Sequence, residues 1–263
     1  DWTWIKGRSY SSNNVVYDAV RGALNTIITN NTDAQSTDSG SLTAWGSDGF
    51  TVGSAGASNS SGQTYASWNW KAGTTSGIST TGSTITPTAY SFNQTSKFSV
   101  VKYTGNSTAG AKVPHGLGVA PDMVIVKSLV DHNWVIQHKS LGATKYIYLD
   151  STGAAATNTN RWNDTAPDAV NVTLGNTDQT NGTGGGNSPF IMYSFAGVRG
   201  ASKFGSYEGN GNTNGIFINT GFRPQFFISK ETNSTDPWHS WTGISSTSGA
   251  NELNKSSQPN DGS

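Results

Sequence analysis

Apolar and polar residues alternate along this chain in short runs instead of recurring every three or four positions, which is the period of strands and not of helices. In Tyr65-Ala66-Ser67-Trp68-Asn69-Trp70 both tryptophans fall on one face, and Phe98, Val100 and Lys102 oppose Ser99, Val101 and Tyr103. Runs of this kind predict strands at Thr3–Lys6, Val15–Asp18, Phe50–Val52, Thr64–Trp70, Phe98–Tyr103, Met123–Lys127, Trp134–His138, Lys145–Leu149, Val170–Leu174, Phe190–Phe195, Gly215–Ile218 and Gln225–Ser229. Gly-, Asn- and Asp-rich stretches separate them at the spacing of sandwiches or barrels. The best helix candidate, Val15 to Leu24, contains Gly22 and β-branched and aromatic positions, so it reads as strand and turn.

One pattern is written three times. Pro121 opens an apolar run to Lys127, followed by Trp134 and Gly142-Ala143; Pro224 opens a run to Lys230, followed by Trp238 and Gly249-Ala250. Trp2 to Lys6, with Tyr17 as its aromatic and Gly22-Ala23, reads as the same unit without its Pro. A matching lead-in, Tyr103-Thr104-Gly105-Asn106 and Tyr207-Glu208-Gly209-Asn210, precedes two of the copies. A motif shared at such a long period predicts tandem all-β modules, with the sequence beginning and ending inside a repeat. The expected division is a partial first module over 1–73, a Ser/Thr/Gly-rich linker over 74–96, a second module over 97–200, and the start of a third over 201–263. The tail from Thr247 reads as poorly ordered or as an unfinished module.

Composition narrows the function classes. Charged residues make up 12 % and cancel to zero net charge, while 9 Trp, 9 Tyr and 10 Phe are far more than a disordered chain of this polarity carries. No cluster of Lys and Arg is present to displace phosphate counterions, so nucleic acid is not an expected partner. No apolar run reaches the ~20 residues of a membrane-spanning helix, so no membrane insertion is expected. The absence of cysteine removes thiol chemistry. A neutral surface rich in Ser, Thr, Asn and Gly suits an exterior protein.

Four segments in order, Phe98 to Asn106, His115-Gly116-Leu117-Gly118-Val119-Ala120-Pro121, Trp162-Asn163-Asp164-Thr165-Ala166-Pro167 and Lys203 to Gly211, resemble a domain of unknown function that recurs in tail-fibre and other virion proteins of marine bacteriophages. Asp48 to Gly53 with Tyr65 to Gly73 is similar to that family's upstream module, whose pattern resembles SPRY and concanavalin-like sandwiches. The resemblance runs from Trp2 to about Trp241. It implies tandem antiparallel β-sandwich modules of lectin-like or jelly-roll type in a fibre or appendage on the virion surface, outside the cell. Its implied partners are other copies of itself, virion proteins and a host cell-surface glycan. The alternative is a structural module, capsid-decorating or filament-forming, without a ligand. No catalytic residue comes with the resemblance.

The chemistry-bearing residues add little. His115, His132, His138 and His239 show no zinc-type spacing, and His115 between Pro114 and Gly116 reads as a turn residue. Glutamates occur only at 208, 231 and 252, and Asp164 and Asp168 flank Pro167 as turn formers rather than as an acid/base pair. No enzymatic activity, resident metal or other cofactor is expected; calcium stays open at Glu208 to Gly215, which offers one carboxylate where calcium loops use several. Asn181 to Asn187 reads as a loop tip. The aromatics are the remaining lead. Trp162, Asn163 and Asp164 form a candidate carbohydrate contact, set against a reading of Trp162 as the cap of a sandwich. Trp238 and Trp241 are candidates for an interface between subunits of a homo-oligomer, with a trimer as the expected arrangement.

Overall fold

A computed structural model describes residues 1–183, 188–242 and 256–262. Strands hold 34 % of the chain and helices 5 %, in several antiparallel sheets, which establishes the all-β class. In the first part β1 (Trp2–Gly7), β2 (Val15–Asp18), β3 (Asn25–Ile28) and β4 (Ser36–Thr37) run as a meander. A hairpin of β5 (Leu42–Trp45) and β6 (Phe50–Val52) and a short helix α1 (Gly56–Asn59) follow, and β7 (Tyr65–Trp70) returns beside β1 to give the order β4-β3-β2-β1-β7.

The second part adds β8 (Ala89–Asn93), β9 (Phe98–Thr104) and β10 (Ala111–Pro114) before a second meander of β11 (Met123–Ser128), β12 (Trp134–His138), β13 (Lys145–Tyr148) and β14 (Ala156–Thr157). After helix α2 (Thr159–Trp162), β15 (Asn171–Leu174) pairs with β10, and β16 (Pro189–Phe195) inserts between β11 and β9. The resulting sheet runs β14-β13-β12-β11-β16-β9-β8. A third meander consists of β17 (Phe226–Ser229), β18 (His239–Thr242) and β19 (Ser256–Ser257).

Two expectations are corrected here. Residues 74–96 are not a free linker: β8 lies within them and pairs with β9, and Thr74 bridges to Phe92. The run Tyr90-Ser91-Phe92 alternates like a strand, and its aromatic faces cover a sheet edge that would otherwise meet water. Gly215–Ile218 is not a strand, and none of the described strands pairs with it. Of the tail, 247–255 and Ser263 lie outside the described residues, as do Gly249-Ala250 and 184–187 of the expected loop tip.

The repeat is written in the register. Lys127 lies opposite Trp134, and the β17–β18 register carried one residue further sets Lys230 opposite Trp238. The β1–β2 register carried one further sets Lys6 opposite Asn14, so an amide and not Tyr17 holds the aromatic place of the first repeat. Gly22 and Gly142 stand at matching turns with φ of 87° and 79°, a conformation that a side chain disfavours.

These matched positions join the repeats in a ring. Trp134 Nε1 donates to the Ile28 carbonyl at 2.8 Å, and Trp238 Nε1 to the matching Tyr148 carbonyl at 2.8 Å. Asn14 Nδ2 completes the cycle on the Gln258 carbonyl at 3.3 Å. Backbone bonds repeat the same logic: His132 N to Thr32 O matches Asp236 N to Thr152 O, and Gln35 N to Leu129 O matches Ala155 N to Thr232 O. Trp238, expected between subunits, therefore lies between repeats of one chain, 7 % exposed in the central core. Trp241 is half-buried and stacks on Phe227 and His239 within its own sheet.

Alternation along the strands gives each of the two large sheets two apolar faces. Trp2, Trp4, Val16 and Ile27 meet Ile125, Ile136, Tyr193 and Trp238 in one central core shared by all three repeats. Ile5, Val15 and Tyr17 turn the other way to pack with Leu42, and Val124, Val126, Val135 and Met192 turn outward against Val113, Val172 and Trp162. Because the tryptophan bonds tie the shared core together, Trp134→Phe and Trp238→Phe are each expected to lower stability by about 1 to 2 kcal/mol, from a lost hydrogen bond and a smaller ring. Urea unfolding followed by both fluorescence and circular dichroism checks this: the two probes should give one coincident transition, and separate transitions would mean that the repeats unfold independently.

Candidate functional site

The proposed carbohydrate contact is not assembled as expected. Trp162 is completely buried in the outer core of the second repeat, where no sugar face can reach it. Its place explains why: Leu42 stands at the corresponding position of the first repeat, at the same spacing as Asn14 from Trp134, and is also completely buried. Trp162 closes α2, and Asn163 and Asp164 leave it in the left-handed region with φ of 51° and 48°. Asp164 Oδ2 accepts from the Thr159 hydroxyl at 2.8 Å, a bond that fastens the turn. Arg161 beside them donates to the Tyr148 hydroxyl and lies 4.8 Å from the Tyr146 ring centre.

The same loop nevertheless borders a concavity. Ala166 and Pro167 form one wall of a cleft of about 240 Å³ whose other walls come from Pro121, Asp122 and Val124 of the β11 entry and from Gln137, His138 and Lys139 at the end of β12. Asp122 pairs with Lys139 at 2.9 Å and accepts from the Gly197 N–H at 2.7 Å. His138 accepts from the Ser140 N–H at Nδ1, so its neutral ring carries the proton on Nε2. Burial first, then the Lys139 charge, holds its pKa below the usual histidine value against the pull of Asp122. Gln137 is 3 % exposed and its amide nitrogen reaches the Thr165 carbonyl, but its Oε1 is buried with no hydrogen-bond donor. The cleft is thus an apolar recess with Gln137 in its wall, one charged pair and one imidazole. Sequence reasoning missed Asp122, Gln137 and Lys139; the available signal was a polar cluster ending an apolar strand next to the repeated Pro.

Other candidates stay local. His115 is buried, with Nε2 against the Asp168 carbonyl and Nδ1 accepting from Leu117 N, so its ring holds a turn. Asp168 caps its own loop by accepting from Val170 N and Asn171 N. In the loop considered for calcium, Asn210 and Asn212 accept from the N–H two residues on, which closes successive turns with their side chains. Among the described residues no group of three or more His, Asp or Glu is placed to hold a metal ion, and no helix is long and apolar enough to cross a membrane.

With this geometry in view, a family profile described as a domain of unknown function, DUF7483, aligns with residues 1–262. The chain belongs to the DUF7483 family. No curated protein and no solved structure matches it. The family match spans all three repeats of this chain.

Two further ionisable groups, Lys127 and Asp150, serve the fold. Lys127 has no exposed surface, and its ammonium donates to the carbonyls of Thr32, Val130 and His132 at 2.9, 3.2 and 2.7 Å, which bridges the first repeat to the second. Burial lowers its pKa to about 8, against the opposing charges of Asp150, Asp131 and Asp33. Asp150 accepts from Asn133 Nδ2 and from Trp134 N, and burial raises its pKa from 3.8 to about 6. A raised carboxyl pKa adds stability that is complete below its unfolded value and is lost as pH rises through about 6. A lowered lysine pKa adds stability that is present above 10.5 and is lost as pH falls through about 8. The urea midpoint of the wild type relative to Asp150→Asn is therefore expected to fall between about pH 4 and 6 and to stay lower above that range, because Lys127 is common to both proteins. A pH-independent difference between the two proteins would show that Asp150 keeps its ordinary pKa.

Proposed function

We propose that this chain is a segment of a bacteriophage tail fibre or related virion appendage that attaches to the host surface by holding a carbohydrate unit in the cleft between Pro121, Gln137 and Pro167. The observation that carries this reading is Gln137, which stands in the wall of the cleft and whose buried Oε1 meets no donor among the described residues. An unpaired buried acceptor costs about 1 to 3 kcal/mol, which a ligand hydroxyl would recover. Asp122 and His138 offer an acceptor and a donor at the rim, and the Pro and Ala walls suit the apolar face of a sugar ring. A cleft of about 240 Å³ suits a single ring more than an extended chain. The resemblance to virion domains and the neutral, Asn- and Thr-rich surface supply the setting.

Catalysis forms no part of this reading. Asp122 is engaged by Lys139 and the Gly197 N–H, and no second carboxylate lines the cleft to serve as its acid or base partner. The alternative, a capsid-decorating or filament-forming module without a ligand, draws on the edge of β7, which among the described residues pairs only with β1.

Binding to host cells or to immobilised host polysaccharide tests the proposal. Gln137→Leu is expected to weaken binding about tenfold, or about 1.4 kcal/mol, while leaving the urea midpoint no lower than that of the wild type. Equal binding by both proteins would remove the cleft from the proposal, and no binding by the wild type would leave the structural alternative. Release of reducing sugar during the assay would overturn the non-catalytic reading.

A further inference from the structure

The first and second repeats build one corner of the fold from matching positions and fill it differently. Tyr148 matches Ile28, because each carbonyl receives the indole N–H of the repeat that follows. Two residues back along the same strands, Tyr146 faces Ala156 as Thr26 faces Ser36. Arg161 matches Ser41: the carbonyl of the one accepts from Gly175 N, and that of the other from Gly53 N. Gln179 matches Ala57, since the N–H groups of Thr180 and Asn181 close on Thr177 O as those of Ser58 and Asn59 close on Ala55 O. The fold itself needs no charge here, for the first repeat holds only Thr26, Ile28, Ser41 and Ala57 at these positions.

In the second repeat the corner holds a guanidinium in a fixed place. Arg161 Nη2 donates to the Tyr148 hydroxyl at 2.9 Å, the hydroxyl donates to Gln179 Oε1 at 3.1 Å, and the Gln179 amide donates to Asn133 Oδ1 at 3.0 Å. The Tyr146 ring, with its centre 4.8 Å from Cζ, fixes the guanidinium from a second side. Arg161 is 8 % exposed, and no carboxylate among the described residues lies within ion-pair distance of it. Its Nε is buried without an acceptor among the described residues, and Nη1 makes no hydrogen bond yet is not enclosed. A charge at this depth is normally paired. Arg21, the other buried arginine among the described residues, follows that rule with Asp18.

We propose that Arg161, Tyr146 and Tyr148 form a second binding site, outside the cleft, for the carboxylate of an acidic sugar. Nη1 and Nη2 make a planar edge that a carboxylate engages through two parallel hydrogen bonds, and the ligand supplies the counter-charge that the corner lacks. Tyr146 and Tyr148 are half-buried, with ring centres 5.0 Å apart, and offer an apolar surface beside that edge for the face of a sugar ring. Tyr148 and Gln179 are positioning residues, because the hydrogen bonds between them hold Nη2 in place. The sugar part of the proposal rests on the carbohydrate reading of the chain; the carboxylate part stands on Arg161 alone.

Calorimetric titration of the whole chain with trigalacturonate, and with uncharged maltotriose at equal ionic strength, tests the site. The wild type is expected to prefer trigalacturonate about tenfold or more, and to bind it more weakly as salt is raised. Arg161→Gln should lose about tenfold or more of that affinity, and Arg161→Lys should regain little of it, since an ammonium has no planar edge. Tyr148→Phe, which removes the hydroxyl that holds Nη2, should weaken binding less than Arg161→Gln does. Because Arg161→Gln removes a buried charge without an ion pair, its urea midpoint is expected to match or exceed that of the wild type, which separates lost binding from lost folding. A wild type that does not bind trigalacturonate at about 10 mM, or an Arg161→Gln protein that binds it equally well, would overturn the site. Acetate that binds as tightly as trigalacturonate would overturn its sugar part. A wild type that binds neutral host polysaccharide but not trigalacturonate would overturn this site alone and leave the cleft standing.

Discussion

Trp134 and Trp238 each give their buried indole N–H to a carbonyl of the repeat before their own. That choice turns a row of meanders into a ring. Had either tryptophan bonded within its own sheet, the three units could stack independently as separate sandwiches. Reaching back to a strand-end carbonyl instead fixes the spacing between neighbours and draws the inner faces into one core. Asn14 makes the closing bond from the same position with a shorter side chain, so the contact between first and third repeats joins two polar segments.

Charge is used inside this frame as a fastener. Tyr193 of the second repeat donates to Asp18 of the first at 2.7 Å, and the same carboxylate pairs with Arg21 at 2.5 Å. Arg21 also donates to the carbonyls of Val16 and Asn25, so its buried donors are spread over the first meander. A buried ion pair repays its desolvation poorly unless every lone pair and proton is used, and here nearly all are. Lys127 follows the same rule with three carbonyls in place of a carboxylate. Groups that could pass for a reactive centre by burial alone are thus occupied in joining one repeat to the next.

The cleft differs from these fasteners because its polar groups are not all answered. It forms where the repeated Pro enters β11, where β12 ends and where the loop after α2 passes, so its walls depend on the second repeat having a β12 long enough to reach Gln137. The loop reaches that position because Trp162 is sunk in the outer core behind it. The aromatic residue therefore shapes the recess from within, while the contact surface is made of Pro, Ala and Gln.

Period-two alternation by itself determined the strand class and located most strands, because alternation is a local consequence of which face each side chain takes. The Lys–Trp spacing determined the repeat and its register for the same reason: cross-strand partners follow from turn length. Sequence could not decide what each tryptophan touches. Trp162 in a polar loop and Trp238 after a Pro look like surface residues in one dimension, and only the packing of β15 and of the neighbouring repeat shows both to be enclosed. Nor could it show that Asn14 stands in for an aromatic, or that 74–96 contains a strand, since both depend on partners far along the chain. The cleft belongs to the same class. Asp122, Gln137 and Pro167 meet only because three separate segments fold to one place, and no local pattern records a meeting between distant residues.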